Sequence, residues 1–149
     1  MKIKYEEIKK FMVDYCRDYT SYSQDEETMP KMNMYWHPDL KATAFMKLKG
    51  GEYPIKFSNR DEWEIFLIDG HLKIKEELIP KEIMIDMIQM KSGIVLCIRK
   101  YNRKDGSLLH EFDGFSYYNL IIDENKSLKM KTIDFYAGDP QTFTGLYNI

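Results

Sequence analysis

The chain has 149 residues, 44% of them hydrophobic, with 8 Phe, 11 Tyr, 2 Trp and 10 Met, ample apolar material for one core in a single domain spanning 1–149. Its 22 basic residues are offset by 24 acidic ones for a formal charge of -2, so no surplus of Lys and Arg is available to meet nucleic-acid phosphates, and no nucleic-acid partner is expected. There is no uninterrupted apolar run long enough to span a bilayer, and Met1-Lys2-Ile3-Lys4-Tyr5-Glu6-Glu7 lacks the pattern of a signal peptide; a cytoplasmic protein without a membrane partner is the expectation.

From Lys4 to Tyr22, the residues Tyr5, Ile8, Phe11, Met12, Tyr15, Cys16 and Tyr19 recur at three- and four-residue steps, the stripe of an amphipathic helix. A polar stretch interrupts it, and a second short helix is predicted over Glu27 to Trp36, stopped by Pro38, so that His37-Pro38-Asp39 makes a corner. Leu40 to Leu48 alternates as a strand, Gly50-Gly51 turns the chain, and Glu52 to Phe57 returns as its hairpin partner. Ser58 or Asn59 caps the next helix, with Glu62 placed as in a capping box, Trp63, Phe66 and Leu67 on the buried side, and Gly70 at its end.

The remainder is nearly all strand: Glu77 to Met90, Ile94 to Tyr101, Leu108 to Ile122 and Leu128 to Tyr136, with turns at Ser92-Gly93, Lys104-Asp105-Gly106 and Asp123 to Lys126. The last strand changes phase, since Leu128 and Met130 are apolar on one parity and Ile133 and Phe135 on the other; a bulge near Lys131 or Thr132 reconciles them, and two covered faces are the alternative. The tail from Gly138 carries Phe143, Leu146 and Tyr147, which are expected to dock on the body. Cys16 and Cys97 lie in separate apolar patterns without metal-type spacing and read as reduced core thiols.

Residues Glu82 to Met90 and Ile94 to Ile98 are apolar on both alternating faces. About three helices can shield only one side of a long sheet, so the other side is expected to bury itself against a second copy, giving a homodimer through the outer sheet face. Cover by the tail and loops of the same chain is the alternative.

This order of elements resembles the nuclear transport factor 2-like superfamily, in its SnoaL-like and ketosteroid-isomerase-like branch. The resemblance rests on Tyr35-Trp36-His37-Pro38-Asp39 after the second helix, on Phe57 to Phe66 leading into the third, and on Lys129 to Pro140 as the closing strand with its Asp-Pro. It implies an α+β fold, a cone-shaped, curved, mixed but mainly antiparallel sheet packed on about three helices, also called cystatin-like. The isomerase branch stabilises an enolate oxygen with a helix tyrosine and a strand carboxylic acid, and moves the proton with a second carboxylate. Set against that pattern, Tyr15 falls near the helix tyrosine and Asp113 on the strand acid, while the base position falls on Ala44. Steroid isomerisation of that type is therefore not expected.

Asp113, among Phe112, Phe115, Tyr117 and Tyr118, is the titratable group of most interest. Pointing inward, it would be poorly solvated as a carboxylate and could donate a hydrogen bond as the neutral acid; at a pocket rim it would bond to a tyrosine or to water instead. Tyr15 and Tyr19 share one helix face and Tyr117 shares a strand parity with Asp113, so their hydroxyls could meet one bound molecule, although packing alone also accounts for tyrosines. His37-Asp39 and His110-Asp113 lack further ligands for a metal, and no phosphate loop or nucleophile motif is present. The resulting expectation is a cofactor-free pocket for a small apolar molecule with polar groups, walled by Trp36, Met46, Trp63, Phe115, Ile133 and Phe135, with Tyr15, Tyr19, Asp113 and Tyr117 as polar contacts. Asp113 and Tyr15 would be the catalytic residues of an isomerase, cyclase or dehydratase. The alternative is a non-catalytic, dimeric protein-interaction module.

Overall fold

The computed structural model describes residues 2–46 and 53–136. Helix α1 covers Tyr5–Tyr22 and buries Ile8, Met12, Tyr15, Cys16 and Tyr19, the stripe expected from their spacing. A 3₁₀ helix, Met29–Met34, carries Pro30 in its first turn, where the missing N–H costs nothing. It is shorter than the predicted helix because Trp36 already belongs to strand β1, Trp36–Ala44, where it pairs with Met130. The His37-Pro38 stretch is extended rather than a corner: a residue before proline is pushed out of the helical region, and the β1 register skips from Trp36 to Lys41.

Strand β2, Ile55–Phe57, leads into helix α2, Arg60–Gly70. Asn59 caps α2 by accepting from the Glu62 N–H at 3.0 Å, while Glu62 Oε2 accepts from the Ser58 N–H at 2.7 Å. Strands β3, Ile74–Asp86, β4, Lys91–Asn102, β5, Leu108–Ile122, and β6, Leu128–Tyr136, complete a six-stranded sheet in the order β2-β1-β6-β5-β4-β3. Among the described strands only β1 and β6 pair in parallel, because the chain leaves β1, makes β2, α2 and three further strands, and returns beside it. The Gly50-Gly51 turn and the tail carrying Phe143, Leu146 and Tyr147 lie outside the described residues.

One sheet face supplies Ala42, Ala44, Leu78, Ile94, Leu96, Ile98, Tyr118, Leu120, Met130, Ile133 and Phe135 to the core beneath the helices. The phase change in β6 is resolved by a bulge: Asn119 pairs with Thr132 and Leu120 with Met130, so Lys131 has no opposite residue. That one extra residue turns Met130, Ile133 and Phe135 all inward. The β3–β4 turn falls at Met87 to Met90 rather than at Ser92-Gly93. Asp86 Oδ1 accepts from the N–H groups of Ile88 and Gln89, at 2.9 and 3.0 Å, and Met90 takes the left-handed conformation at φ 55°. Gly93 lies instead within β4, where a Cβ would sit 2.9 Å from the Tyr117 ring. Neither described α-helix is long and apolar enough to cross a membrane.

Replacing Asn59 with Ala is expected to cost about 0.5–2 kcal/mol of stability in urea denaturation, since the cap donor loses its acceptor. Ser58→Ala should change little, because only its backbone N–H is engaged.

Candidate functional site

Strand β3 is an edge of the sheet, so part of its backbone has no neighbouring strand. Side chains at the end of α1 supply the missing partners. Gln24 accepts from the Glu76 N–H through Oε1 at 2.6 Å and donates through Nε2 to the Glu76 carbonyl at 2.7 Å, and Thr20 Oγ1 accepts from the Leu78 N–H at 3.1 Å. Arg103 holds the segment after α1, with Nη1 2.9 Å from Asp25 Oδ1 and Nη2 donating to the Gln24 carbonyl. Glu76 is thereby fixed with its side chain turned beneath the helices and only 2% of the residue exposed.

Three groups converge on that carboxylate. The Tyr19 hydroxyl donates to Oε1 at 2.8 Å, Lys100 Nζ lies 3.6 Å from Oε2, and His71 Nε2 lies 3.8 Å from Oε1. Each is delivered by a different element: Tyr19 by α1, His71 by the residue that ends α2, and Lys100 by β4, directly opposite Glu76 in the β3–β4 register. Burial pushes the Glu76 carboxyl upward, but nearby His71, the Lys100 charge and the Tyr19 hydroxyl outweigh it and hold the group below the usual glutamate range. Burial, then the Glu76 charge, pushes the Tyr19 phenol well up, so it remains a donor.

His71 has a defined orientation. Its Nδ1 lies 2.6 Å from the Leu67 carbonyl, which can only accept, so Nδ1 carries the hydrogen and Nε2 is left facing Glu76. Beside these groups is a cavity of about 160 Å³ lined by Tyr19, His71, Glu76 and Lys100 on its polar side and by Met46, Phe66, Leu67 and Phe135 on its apolar side. An imidazole, a fixed anion, an ammonium and a phenol thus share one small space, the residue types that general acid-base chemistry uses.

Of the residues singled out from sequence, Tyr19, Met46 and Phe135 line this cavity. Trp36, Trp63 and Ile133 are buried in the adjoining core. Tyr15 is also walled in, its ring 5.4 Å from Tyr35, 5.5 Å from Tyr118 and 6.3 Å from Trp36, and it does not reach the cavity lining. Asp113 does not look inward. It pairs with Cys97 on the strand parity opposite to buried Ile98 and Leu96, and its carboxylate meets Lys81 Nζ at 3.0 Å with 35% of the side chain exposed. Phe115 and Tyr117 share that parity and therefore lie on the outer sheet face, away from the cavity; Tyr117 is 46% exposed.

Sequence reasoning singled out none of Glu76, Lys100, Gln24 and His71. Ile74-Lys75-Glu76-Glu77 reads as a solvated approach to a strand. A signal was present nonetheless: Glu76 keeps step with buried Leu78, and Lys100 with buried Ile94, Leu96 and Ile98, so alternation carried one place further puts both on the core face.

No protein-family model matches the sequence, and no curated protein matches it either. Solved structures do share its architecture. A nuclear transport factor 2-like protein of unknown function from Burkholderia pseudomallei is 12% identical with a TM-score of 0.61, covering 94% of this chain and 96% of that one. This chain has the nuclear transport factor 2-like fold. A SnoaL-like polyketide cyclase, so named by similarity, from Shewanella putrefaciens is 10% identical with a TM-score of 0.60, covering 86% of this chain and 87% of that one. The pinacolase BvnE from Penicillium brevicompactum is 12% identical with a TM-score of 0.56, covering 98% and 93%. At such identities the likeness is one of fold, and the Glu76 cluster has to be read from the residues of this chain itself.

Because folded Glu76 releases its proton more readily than an exposed glutamate, the unfolded chain binds the extra proton as pH falls below the ordinary glutamate range. The stabilisation this carboxylate contributes is complete above that range and is lost as pH falls through its depressed folded value. Urea denaturation across this acidic window should therefore give a steeper loss for the wild type than for Glu76→Gln; parallel curves would contradict the assignment.

Proposed function

We propose that the protein binds a small, mostly apolar molecule in the cavity beside Glu76 and moves a proton on it without a cofactor, with His71 as the proton-carrying group. The observation that carries this reading is a carboxylate buried beside an apolar cavity, next to an imidazole whose far nitrogen is committed to the Leu67 carbonyl. Burying an ionised group is costly unless other interactions offset it, and here the offsetting groups face a space large enough for a ligand. His71 Nε2 is the atom at which a proton is gained or lost, Glu76 is the anion that stabilises the protonated ring, and Lys100 and Tyr19 fix that anion. The names of structural neighbours, a SnoaL-like cyclase, a ketosteroid isomerase-like protein and a pinacolase, support an enzyme-like use of this architecture. Asp113 has no part in this chemistry.

A fragment titration followed by NMR tests the reading. Binding should perturb Tyr19, His71, Leu67 and Phe135 together, and exchange of acidic C–H protons of bound carbonyl compounds with D₂O should fall to background in His71→Ala while its circular dichroism stays native. Fragments that gather elsewhere, or exchange unaffected by His71→Ala, would refute it.

We also propose that the protein is a homodimer through the outer sheet face, the expectation raised by the two-sided strands. Phe45 stacks on Tyr136 at 4.3 Å, Tyr136 on Phe115 at 4.4 Å, and Tyr117 meets Phe115 edge-on at 5.4 Å, a continuous aromatic row on the face that carries none of the described helices. Met84, 54% exposed, extends it next to Gly93. A face of this kind is self-complementary about a two-fold axis and withdraws apolar surface from water on pairing. Sedimentation equilibrium should return a dimer for the wild type and a monomer for Tyr117→Glu; a wild-type monomer would refute the assembly.

A further inference from the structure

The residues around the cavity narrow the class of molecule that fits, and this inference rests on the cavity beside Glu76 being the binding site. Two features set the limits: how much space the protein leaves, and which hydrogen-bonding capacity it leaves unused.

The space is small because the depth of the cone is occupied by the protein's own rings. Trp36 meets Trp63 edge-on at 6.4 Å, Trp63 meets Phe135 at 6.4 Å, and Tyr15 bridges Tyr118 and Trp36, all within a core exposed to water by only a few per cent. What remains is the volume of about 160 Å³ under Phe66 and Phe135. A cavity of roughly 150 Å³ accommodates one benzene ring, so a fused bicyclic or polycyclic body exceeds this one.

The hydrogen-bonding capacity is one-sided. Tyr19 is spent on Glu76 Oε1. Lys100 Nζ and His71 Nε2 lie 3.6 and 3.8 Å from the carboxylate, beyond hydrogen-bonding distance, and both border the cavity. Lys100 can therefore give a hydrogen to an oxygen entering the cavity, while the unprotonated Nε2 of His71 is left to take a proton. Glu76 and Lys100 cancel in charge, so the site does not call for an anion. A neutral acceptor oxygen on an apolar body suits both the polar side and the wall of Met46, Phe66, Leu67 and Phe135.

We infer that the cavity selects neutral monocyclic or short-chain carbonyl compounds, with the carbonyl oxygen held by Lys100 beside His71 and the ring against Phe66 and Phe135, and that these two phenylalanines set the upper size limit. The probes are cyclohexanone, its bicyclic homologue 2-decalone, and benzoate as a carboxylate of matching size, each titrated into the full chain by NMR. Cyclohexanone should perturb Lys100, His71 and Phe135 and bind more tightly than benzoate, and 2-decalone should leave these resonances unmoved. Lys100→Met should weaken cyclohexanone about tenfold, the scale of a lost charge-assisted hydrogen bond. Phe66→Ala should admit 2-decalone, and Phe66→Leu, which keeps more of the packing, checks that any gain comes from space rather than from loosening of the fold. Wild-type binding of 2-decalone at these residues, or a preference for benzoate, overturns the size or the charge assignment while leaving the cavity as the binding site. Silence of all three probes at Lys100, His71 and Phe135 overturns this inference together with the reading it rests on.

Discussion

The arrangement turns on one buried ionised side chain at the edge of a sheet. Among the described strands β3 has none on its outer side, and there its backbone is bonded at Glu76 and Leu78 by the side chains of Gln24 and Thr20 in place of a strand. That substitution does two things at once. It covers the first part of an open edge, which would otherwise invite pairing with other chains, and it fixes Glu76 at the junction of α1, α2 and β4. The conformation of the carboxylate is then set by backbone hydrogen bonds, independently of any ligand, as a preorganised site requires.

Electrostatics and packing support each other at this junction. The Glu76 charge is tolerable under the helices because Tyr19, Lys100 and His71 surround it, and those groups hold their positions because each belongs to an element that buries its own apolar residues. α1 contributes Tyr19 from the same stripe as Ile8, Met12 and Tyr15. α2 ends at Gly70, and His71 closes it by bonding the Leu67 carbonyl, so a helix-capping contact also decides which imidazole nitrogen faces the anion. On the far side the same sheet presents a row of aromatic rings, so its two faces separate the catalytic proposal from the assembly proposal.

Much of this architecture was legible from the sequence. The period of α1, the Asn59 cap with Glu62, the bounds of β5 and β6 and the bulge at Lys131 all follow from local patterns that tertiary contacts reinforce. The site was much less legible. Asp113 attracted attention because its neighbours are aromatic, yet Phe115 and Tyr117 belong to the outer row and carry Asp113 with them; aromatic company marks burial only when the face is known. Glu76 was hidden for the converse reason. It sits among charged residues at the mouth of a strand, and only the register with Lys100 and the clasp from Gln24, a contact across 52 positions of sequence, turn it inward. The β3–β4 turn was misplaced because Ser92-Gly93 carries turn chemistry, whereas Asp86 supplies the actual turn and Gly93 serves the close approach of Tyr117.

The central claim is that Glu76 and the Leu67 carbonyl together leave His71 with Nε2 as its exchanging nitrogen. Long-range ¹H–¹⁵N correlation spectra of the His71 ring, recorded for the wild type and for Glu76→Gln, test it most directly. The account predicts Nδ1 protonated in both proteins, with the Nε2 resonance shifting when the neighbouring charge is removed. An unprotonated Nδ1, or an imidazole spectrum indifferent to Glu76→Gln, would contradict it.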